Sequence, residues 1–136
     1  MLLLLEIVPY IVIFIFGITI GSFLNVCIYR IPLHQSIVTV SSHCMTCGRK
    51  LKWYDMVPVF SWLLLGGKCR SCKSKISLQY PVIELLNGIL YVVICLVNGM
   101  DLFSLIYCLM TSALLTLSLI DWRTYEIPPG INAFLF

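Results

Sequence analysis

Three long apolar runs are spaced along the chain, with a polar and basic stretch between the first and the second. Each run approaches the roughly 20 residues that an α-helix needs to cross about 30 Å of hydrocarbon. The pattern therefore predicts an all-α polytopic membrane protein with at least three transmembrane helices. The runs extend from Ile7 to Ile28, from Val82 to Val97, and from Leu102 to Ile120.

Composition agrees with this pattern and excludes a soluble domain. Hydrophobic residues make up 60% of the 136 residues and charged residues 11%, whereas soluble domains carry about 25% charged residues. The mean hydropathy is +1.01. A cleaved secretory signal is a poor match to the first run, because Glu6 stands where a positive charge is expected and the apolar core is too long. We interpret the first run as a retained membrane helix.

The distribution of basic residues predicts the orientation of the helices. Of the nine Lys and Arg residues, eight lie between Arg30 and Lys75, where Asp55 is the single acidic residue. By the positive-inside rule this stretch faces the cytoplasm. We therefore divide the chain into a first transmembrane helix (1–29), a basic cytoplasmic loop (30–80), and two further helices followed by the start of another domain (81–136).

Four of the seven cysteines form two CxxC pairs within the basic loop. A CxxC turn followed by glycine can direct two thiolates to one point, since glycine tolerates a left-handed backbone. Two such turns indicate a four-cysteine zinc site, which has no open coordination position and therefore organises the loop without catalysing a reaction. The pairs are Cys44 with Cys47, followed by Gly48, and Cys69 with Cys72.

Two other interpretations of these cysteines stay open at the level of sequence. A pair of disulfides is disfavoured by a reducing cytoplasm. A redox centre is expected as one CxxC near a βαβ pattern, and the loop has two CxxC pairs instead. His34 and His43 do not match the spacing of zinc ligands, and we expect them to be exposed loop residues.

Small and polar residues within the apolar runs predict contacts between helices. Gly17 and Gly21 form a GxxxG pattern, which permits close approach of another helix. We favour packing inside the same bundle over a dimer interface. Asn25 lies in an apolar helix, where a polar group costs free energy unless it is hydrogen-bonded, so we expect an interhelical hydrogen bond.

Three carboxylates are candidates for a structural or chemical role. Glu84 is predicted in the first turn of the helix after Pro81, where the helix dipole favours it, with an auxiliary role beside Asp121 as the alternative. Asp55 is predicted to form a turn or a helix N-cap. Asp121 follows the third run and emerges on the same side as the basic loop. Ionisable groups at a membrane edge are candidates for function because their burial is costly.

The order of several motifs resembles the type IV prepilin peptidases, bifunctional membrane enzymes that cleave pilin-like leaders and N-methylate the new N-terminus. The resemblance covers the chain from Gly21 to its end, and the order of the motifs makes it specific. The motifs are GSFLNVCIYRIP, the two CxxC pairs with WYDMVPVFSWLLLGGKC between them, YPVIELL, and IDWRTYEIP.

This resemblance implies an aspartic endopeptidase with two catalytic aspartates at the cytoplasmic membrane surface. Asp121, at a helix end before an Ile-Pro pair, matches the first. The family's second aspartate belongs to a later GxGD motif, which these 136 residues do not contain. We therefore expect the chain to be the N-terminal portion of a longer enzyme and to be inactive alone. Glu84 and Glu126 are the other acids expected near Asp121.

The resemblance also implies partners, a cofactor and a location. The substrate is a pilin-like or pseudopilin precursor, cleaved at the cytoplasmic face of the inner (plasma) membrane, and no nucleic acid is involved. S-adenosylmethionine is the candidate methyl donor, with no residue assigned to bind it. The alternative is a non-catalytic, zinc-stapled membrane scaffold that binds pilin-like helices. The sequence does not indicate an oligomeric state.

Overall fold

The computed structural model describes residues 1–124 and is helical throughout its regular elements. Within this range, extended pairing is limited to two isolated bridges. A short 3-10 helix at Trp53–Asp55 precedes the second α-helix. The α-helices are α1 (Leu2–Arg30), α2 (Phe60–Leu64), α3 (Gln79–Asn98) and α4 (Leu102–Thr124).

Three of these helices, α1, α3 and α4, are long and apolar enough to cross a membrane. The prediction of an all-α polytopic protein with at least three transmembrane helices is confirmed. The first helix is longer than its predicted run, because Leu2 to Leu5 continue the helix towards the N-terminus and leucine is a strong helix former. Its 29 residues exceed what the hydrocarbon core alone requires.

Helices α1 and α3 approach so closely that glycine is required on both sides. A Cβ atom placed on Gly17 would lie 2.7 Å from the Cα atom of Gly88, and one on Gly21 would lie 2.8 Å from the Cα atom of Glu84. Real Cβ atoms do not approach backbone atoms so closely. The GxxxG pattern therefore mediates helix packing inside the bundle, as predicted from the sequence.

A buried chain of hydrogen bonds joins the three long helices at mid-height. Asn87 Nδ2 donates to the carbonyl oxygen of Gly17 at 2.7 Å, and Ser112 Oγ donates to Asn87 Oδ1 at 2.9 Å. Tyr91 Oη donates to Ser112 Oγ at 2.7 Å. Since hydrocarbon offers no partner to polar groups, this internal pairing is what allows them to lie within the bundle.

One end of the bundle gathers the C-terminal ends of α1 and α4 and the N-terminal end of α3. Ile28, Ile83 and Ile120 form a buried cluster there. Beside it, Asn25 Nδ2 donates to the carbonyl oxygen of Tyr80 at 3.1 Å, which confirms the predicted interhelical hydrogen bond. The basic loop leaves and re-enters the bundle at this end, which we call the loop end.

The opposite end is closed by a short turn between α3 and α4. Gly99 has a φ of +87°, a value that glycine adopts without strain. Asp101 then caps α4, since its Oδ1 accepts a hydrogen bond from the Ser104 backbone N–H at 2.9 Å. The tight connection makes α3 and α4 antiparallel neighbours and returns the chain to the loop end at Asp121.

We predict that Gly21→Leu destabilises the bundle by about 1–3 kcal/mol, because the added side chain meets backbone and not a movable side chain. The measurement is the midpoint of SDS-induced unfolding in mixed micelles. Thr19→Leu is the matched control, since Thr19 lies on an exposed face of the same helix. Equal midpoints for the two variants would contradict the close α1–α3 contact.

Candidate functional site

The four cysteines of the two CxxC pairs converge in space. Their sulfur atoms all lie within 4.8 Å of one another. The Sγ atoms of Cys44 and Cys72 are 3.6 Å apart, and those of Cys47 and Cys69 are 4.0 Å apart. A tetrahedral zinc ion with Zn–S bonds of about 2.3 Å needs sulfurs about 3.8 Å apart. The four sulfur donors and their spacing therefore fit tetrahedral coordination of a metal ion.

The first cysteine turn has the geometry of a metal-binding knuckle. The Cys44 backbone N–H donates to the carbonyl oxygen of Arg49 at 2.9 Å, and the Gly48 N–H donates to the carbonyl oxygen of Cys44 at 2.9 Å. Gly48 has a φ of +73°. The left-handed backbone predicted for this glycine is confirmed, and it brings the chain back so that both sulfurs face one point.

The second turn repeats the first with a different residue at the left-handed position. The Cys69 N–H donates to the carbonyl oxygen of Ser74 at 2.9 Å, and the Lys73 N–H donates to the carbonyl oxygen of Cys69 at 3.1 Å. Lys73 has a φ of +56°, the conformation held by Gly48 in the first turn. This conformation was not predicted, because lysine at such a position carries a conformational cost.

The thiols of this cluster have unequal acidities. The pKa of Cys44 is lowered to about 6, chiefly because the backbone N–H groups of Cys47 and Thr46 donate to its sulfur. The Arg49 N–H acts to lower the pKa of Cys47, but the Cys44 thiol, burial and the other thiols outweigh it and raise that pKa to about 11. Four thiolates so close together need a cation, and a divalent metal ion supplies one.

All seven cysteines are free thiols in the structure. The other three cysteines are buried within the long helices, outside the basic loop: Cys27 in α1, Cys95 in α3 and Cys108 in α4. His34 and His43 are exposed, as predicted, and the metal-ligand cluster found in residues 1–124 includes neither. The cluster can thus hold a metal ion with cysteine ligands alone.

The carboxylate of Asp55 connects the two cysteine turns, and only 2% of its side chain is exposed. Its Oδ1 accepts a hydrogen bond from Arg70 Nε at 2.9 Å, and its Oδ2 lies 3.8 Å from Arg49 Nη2. Arg49 also donates to Ser71 Oγ in the second turn at 2.9 Å. Burial acts to raise the pKa of Asp55, but the hydrogen bonds from Arg70 and the Lys52 N–H outweigh it and lower that pKa.

The predicted turn or N-cap role of Asp55 is correct only in part. Its Oδ2 does accept a hydrogen bond from the Lys52 backbone N–H, at 3.3 Å, but Asp55 is the third residue of the 3-10 helix and not its cap. The ion pairs of Asp55 with Arg49 and Arg70 were not predicted from the sequence. The sequence does contain one indication of them, because Asp55 is the single acid of the basic loop and an arginine lies in or beside each CxxC pair.

The placement of Glu84 in a first helical turn is wrong. Helix α3 begins at Gln79, two residues before Pro81, because proline is tolerated within the first turn. Glu84 therefore lies in the second turn, where it is 6% exposed. Its Oε2 accepts a hydrogen bond of 2.6 Å from the Val59 backbone N–H in the basic loop.

The hydrogen bond between Val59 and Glu84 stabilises a turn with an unusual backbone conformation. Val59 has φ +61° and ψ −52°, and the Phe60 N–H donates to the carbonyl oxygen of Pro58 at 2.6 Å. These values describe a γ-turn of the rare, strained type, and a β-branched residue is especially unfavourable there. The carboxylate of Glu84 thus fixes the loop to the bundle at a strained backbone position.

Asp121 is exposed in the last turn of α4, at the loop end of the bundle. The residue before it, Ile120, is buried in the isoleucine cluster. Two residues later, the guanidinium of Arg123 lies 4.3 Å from the ring centre of Tyr29, which stacks on Tyr80 at 5.3 Å. These contacts hold the turn that presents the carboxylate.

The structure brings the predicted residues to one end of the bundle but does not join them in one site. Glu84 points its carboxylate at Val59, while Asp121 is exposed. Glu126 and the Ile-Pro pair of the last motif lie outside the described residues. The loop end thus has one exposed carboxylate (Asp121), two carboxylates with buried side chains and structural partners (Glu84 and Asp55), and a cysteine cluster that can hold a metal ion.

Comparison with known proteins finds several relatives that share one name. A prepilin leader peptidase/N-methyltransferase of Myxococcus xanthus is 42% identical over 126 residues, which cover 88% of this chain and 37% of that protein. Proteins of the same name from Bacillus subtilis and Neisseria gonorrhoeae are 35% and 32% identical, and the matches cover 90% and 87% of this chain. Each of these two matches covers 50% of the relative.

The chain thus spans half or less of the length of these relatives. No solved structure matches it significantly. The family model of the bacterial peptidase A24 N-terminal domain matches residues 15–98, from within α1 through both cysteine turns to the end of α3. Since this match covers more than half of the chain, the chain belongs to the bacterial peptidase A24 N-terminal domain family.

Proposed function

We propose that this chain is part of a membrane aspartic endopeptidase that removes the leader of type IV prepilin-like precursors at the cytoplasmic membrane face. Asp121 is one of its two catalytic carboxylates. The observation that carries the proposal is the exposed position of Asp121 at the loop end, beside a membrane-spanning bundle and on the same side as the cysteine cluster. The names of the relatives support the substrate class.

Peptide hydrolysis of this kind uses two carboxylates that share one proton. One carboxylate takes a proton from the attacking water, and the other donates a proton to the departing amine. Asp121 supplies one of these groups, and a GxGD motif of the kind found in prepilin peptidases supplies the second. Like charges close together keep the shared proton in place, so the pair titrates as one unit.

The cysteine cluster has a structural role in this proposal. Zinc is the ion that best suits four thiolates in a tetrahedron, and a closed site of this kind contributes folding free energy. Residues 30–80 then form a zinc-organised loop between the first membrane helix (1–29) and the remainder (81–136). The sulfur atoms that hold the ion belong to Cys44, Cys47, Cys69 and Cys72.

The substrate enters from the bilayer. A prepilin-like precursor carries an apolar helix after its leader, and this helix lies in the membrane against the exposed apolar faces of the enzyme's helices. Confinement to one plane aligns the scissile bond with the loop end and reduces the entropic cost of the encounter. The excess of Lys and Arg in residues 30–80 supports a cytoplasmic position for this end, and the proposed location of the enzyme is the inner membrane.

A second activity follows from the relatives' name, N-methyltransferase. We extend the proposal to methyl transfer from S-adenosylmethionine to the amine that leader cleavage exposes. S-adenosylmethionine would supply the methyl group, and the amine would lose a proton. The described residues support this activity only through family membership, and no side chain is assigned to it.

We predict one zinc ion per chain in reduced, chelator-washed protein, measured by elemental mass spectrometry. Cys72→Ser should lose most of the metal and expose the loop to limited proteolysis, because the folding free energy from the ion is lost. Cys108→Ser, a change in a buried membrane-helix cysteine, should keep the metal. A wild-type protein with disulfides and no metal would contradict the assignment.

We predict that Asp121→Asn lowers leader cleavage by the intact protein at least about 100-fold, because asparagine keeps the shape of aspartate but cannot transfer the proton. The measurement is the mobility shift of a purified precursor in detergent. Asp101→Asn is the matched control at the other end of α4, since asparagine caps a helix as well as aspartate does.

Two results would overturn the proposed function. Unchanged cleavage after Asp121→Asn would remove Asp121 from the catalytic pair. A wild-type protein that binds the precursor and does not cleave it would favour the zinc-stapled scaffold.

A further inference from the structure

The short helix α2 carries an apolar stripe that no part of the described chain covers. Phe60, Leu63 and Leu64 occupy positions i, i+3 and i+4, so they share one face of the helix. All three are exposed, and Leu64 is 86% exposed. Three adjacent large apolar side chains on one face of a loop helix form an exposed apolar patch, a feature that marks a membrane or protein contact.

The other face of α2 is bound to the second cysteine turn. Trp62 Nε1 donates to the carbonyl oxygen of Ile76 at 3.3 Å. A Cβ atom on Gly67 would lie 2.8 Å from Trp62 Cζ2, so the indole ring rests directly on that glycine. The helix is therefore fixed in orientation, with Trp62 turned to the loop and the apolar stripe turned away from it.

The depth of α2 follows from the hydrogen bond between Glu84 and Val59. Helix α3 has 20 residues, a length of about 30 Å that just matches the hydrocarbon core. Glu84 is the sixth residue of α3 and lies about 7.5 Å along its axis from Gln79. The Val59 N–H reaches this carboxylate at 2.6 Å, and Phe60 is the next residue. With the hydrocarbon boundary taken at Gln79, the start of α2 lies at the level of the second turn of α3.

We propose that α2 is an interfacial helix whose Phe60, Leu63 and Leu64 face inserts into the lipid leaflet at the loop end of the bundle. Lipid suits the stripe because large apolar side chains at the start of α3 are exposed at the same end of the bundle, among them Leu78 and Val82. The lysines that follow α2 are exposed at the same end and suit anionic head groups: Lys68, Lys73 and Lys75.

The insertion does not depend on the proposed catalysis. It gives the loop two anchors, the carboxylate of Glu84 inside the bundle and the stripe of α2 in the leaflet. A cysteine loop held in this way lies on the membrane surface, and it does not extend into the cytoplasm as a separate domain.

The test is photo-crosslinking to lipid. A diazirine amino acid is placed at position 64 of the intact protein, which is reconstituted in vesicles of phosphatidylethanolamine and phosphatidylglycerol. Lipid adducts are then counted by mass spectrometry. Position 45 is the matched control, because Met45 is also apolar and is 80% exposed in the same loop. We expect several-fold more lipid adduct at position 64.

Two outcomes would overturn the proposal. Equal lipid labelling at positions 64 and 45 would show that α2 has no special depth. Adducts at position 64 that are with added precursor or with a second copy of the protein, and not with lipid, would show that the stripe is a protein-binding face. Cleavage activity enters neither readout, so failure here is distinct from failure of the proposed function.

A second pair of variants tests the depth anchor. Glu84→Gln retains an oxygen that accepts the Val59 N–H, whereas Glu84→Ala does not. Lipid labelling at position 64 should therefore persist in the first variant and fall several-fold in the second. Zinc content, measured on both, shows that the cysteine turns remain folded. Undiminished labelling in Glu84→Ala with intact zinc would remove Glu84 from the anchor.

Discussion

The close contact between α1 and α3 is the constraint on which the rest of the structure depends. It requires Gly17 and Gly21 on α1, because a side chain there would meet the backbone of α3. A side chain on Gly88 of α3 would meet the side chains of Ile18 and Phe14. In hydrocarbon there is little hydrophobic drive for helices to associate, so van der Waals contact of this kind and buried hydrogen bonds hold them together. The same contact places Glu84 against Gly21 and so directs its carboxylate to the base of the loop.

The loop is organised by polar and ionic contacts in place of a hydrophobic core. Its larger apolar side chains are mostly exposed, and its fold is fixed by the cysteine cluster, by the ion pairs of Asp55 and by the hydrogen bond from Val59 to Glu84. A segment of this size cannot bury enough apolar surface to fold by itself. The contacts of the cysteine cluster and the hydrogen bond to Glu84 on the bundle take the place of that core, and a metal ion bound by the four cysteines would strengthen the cluster.

The spacing and the chemical type of residues along the sequence correctly predicted several features of the structure. The three membrane helices follow from apolar length, the convergence of the cysteines from CxxC spacing, and the left-handed turn at Gly48 from the properties of glycine. The hydrogen bond of Asn25 follows from the cost of an unpaired amide in an apolar helix. In each case the type or spacing of the residues sets the requirement, even where the partner is distant in sequence, as Tyr80 is from Asn25.

The features that were missed depend on contacts between distant parts of the chain. Glu84 and Val59 are 25 residues apart, and helix-dipole reasoning about Glu84 alone cannot reveal its partner. The left-handed backbone of Lys73 runs against the preference of lysine and exists because the second cysteine turn must match the first. Structure was needed wherever tertiary contacts override a local preference.

Electrostatics gives the position of Asp121 its significance. A carboxylate in the last turn of a helix faces the negative end of the helix dipole, which disfavours it by about 0.3–1 kcal/mol. Arg123 in the same turn has the favourable sign, and its guanidinium is engaged with the ring of Tyr29. The helix dipole therefore explains the presence of an arginine in this turn of α4, but it does not explain the presence of an aspartate. An exposed acid at an unfavourable position in the helix, next to a buried isoleucine that fixes its backbone, supports the proposal that Asp121 takes part in chemistry at the membrane surface.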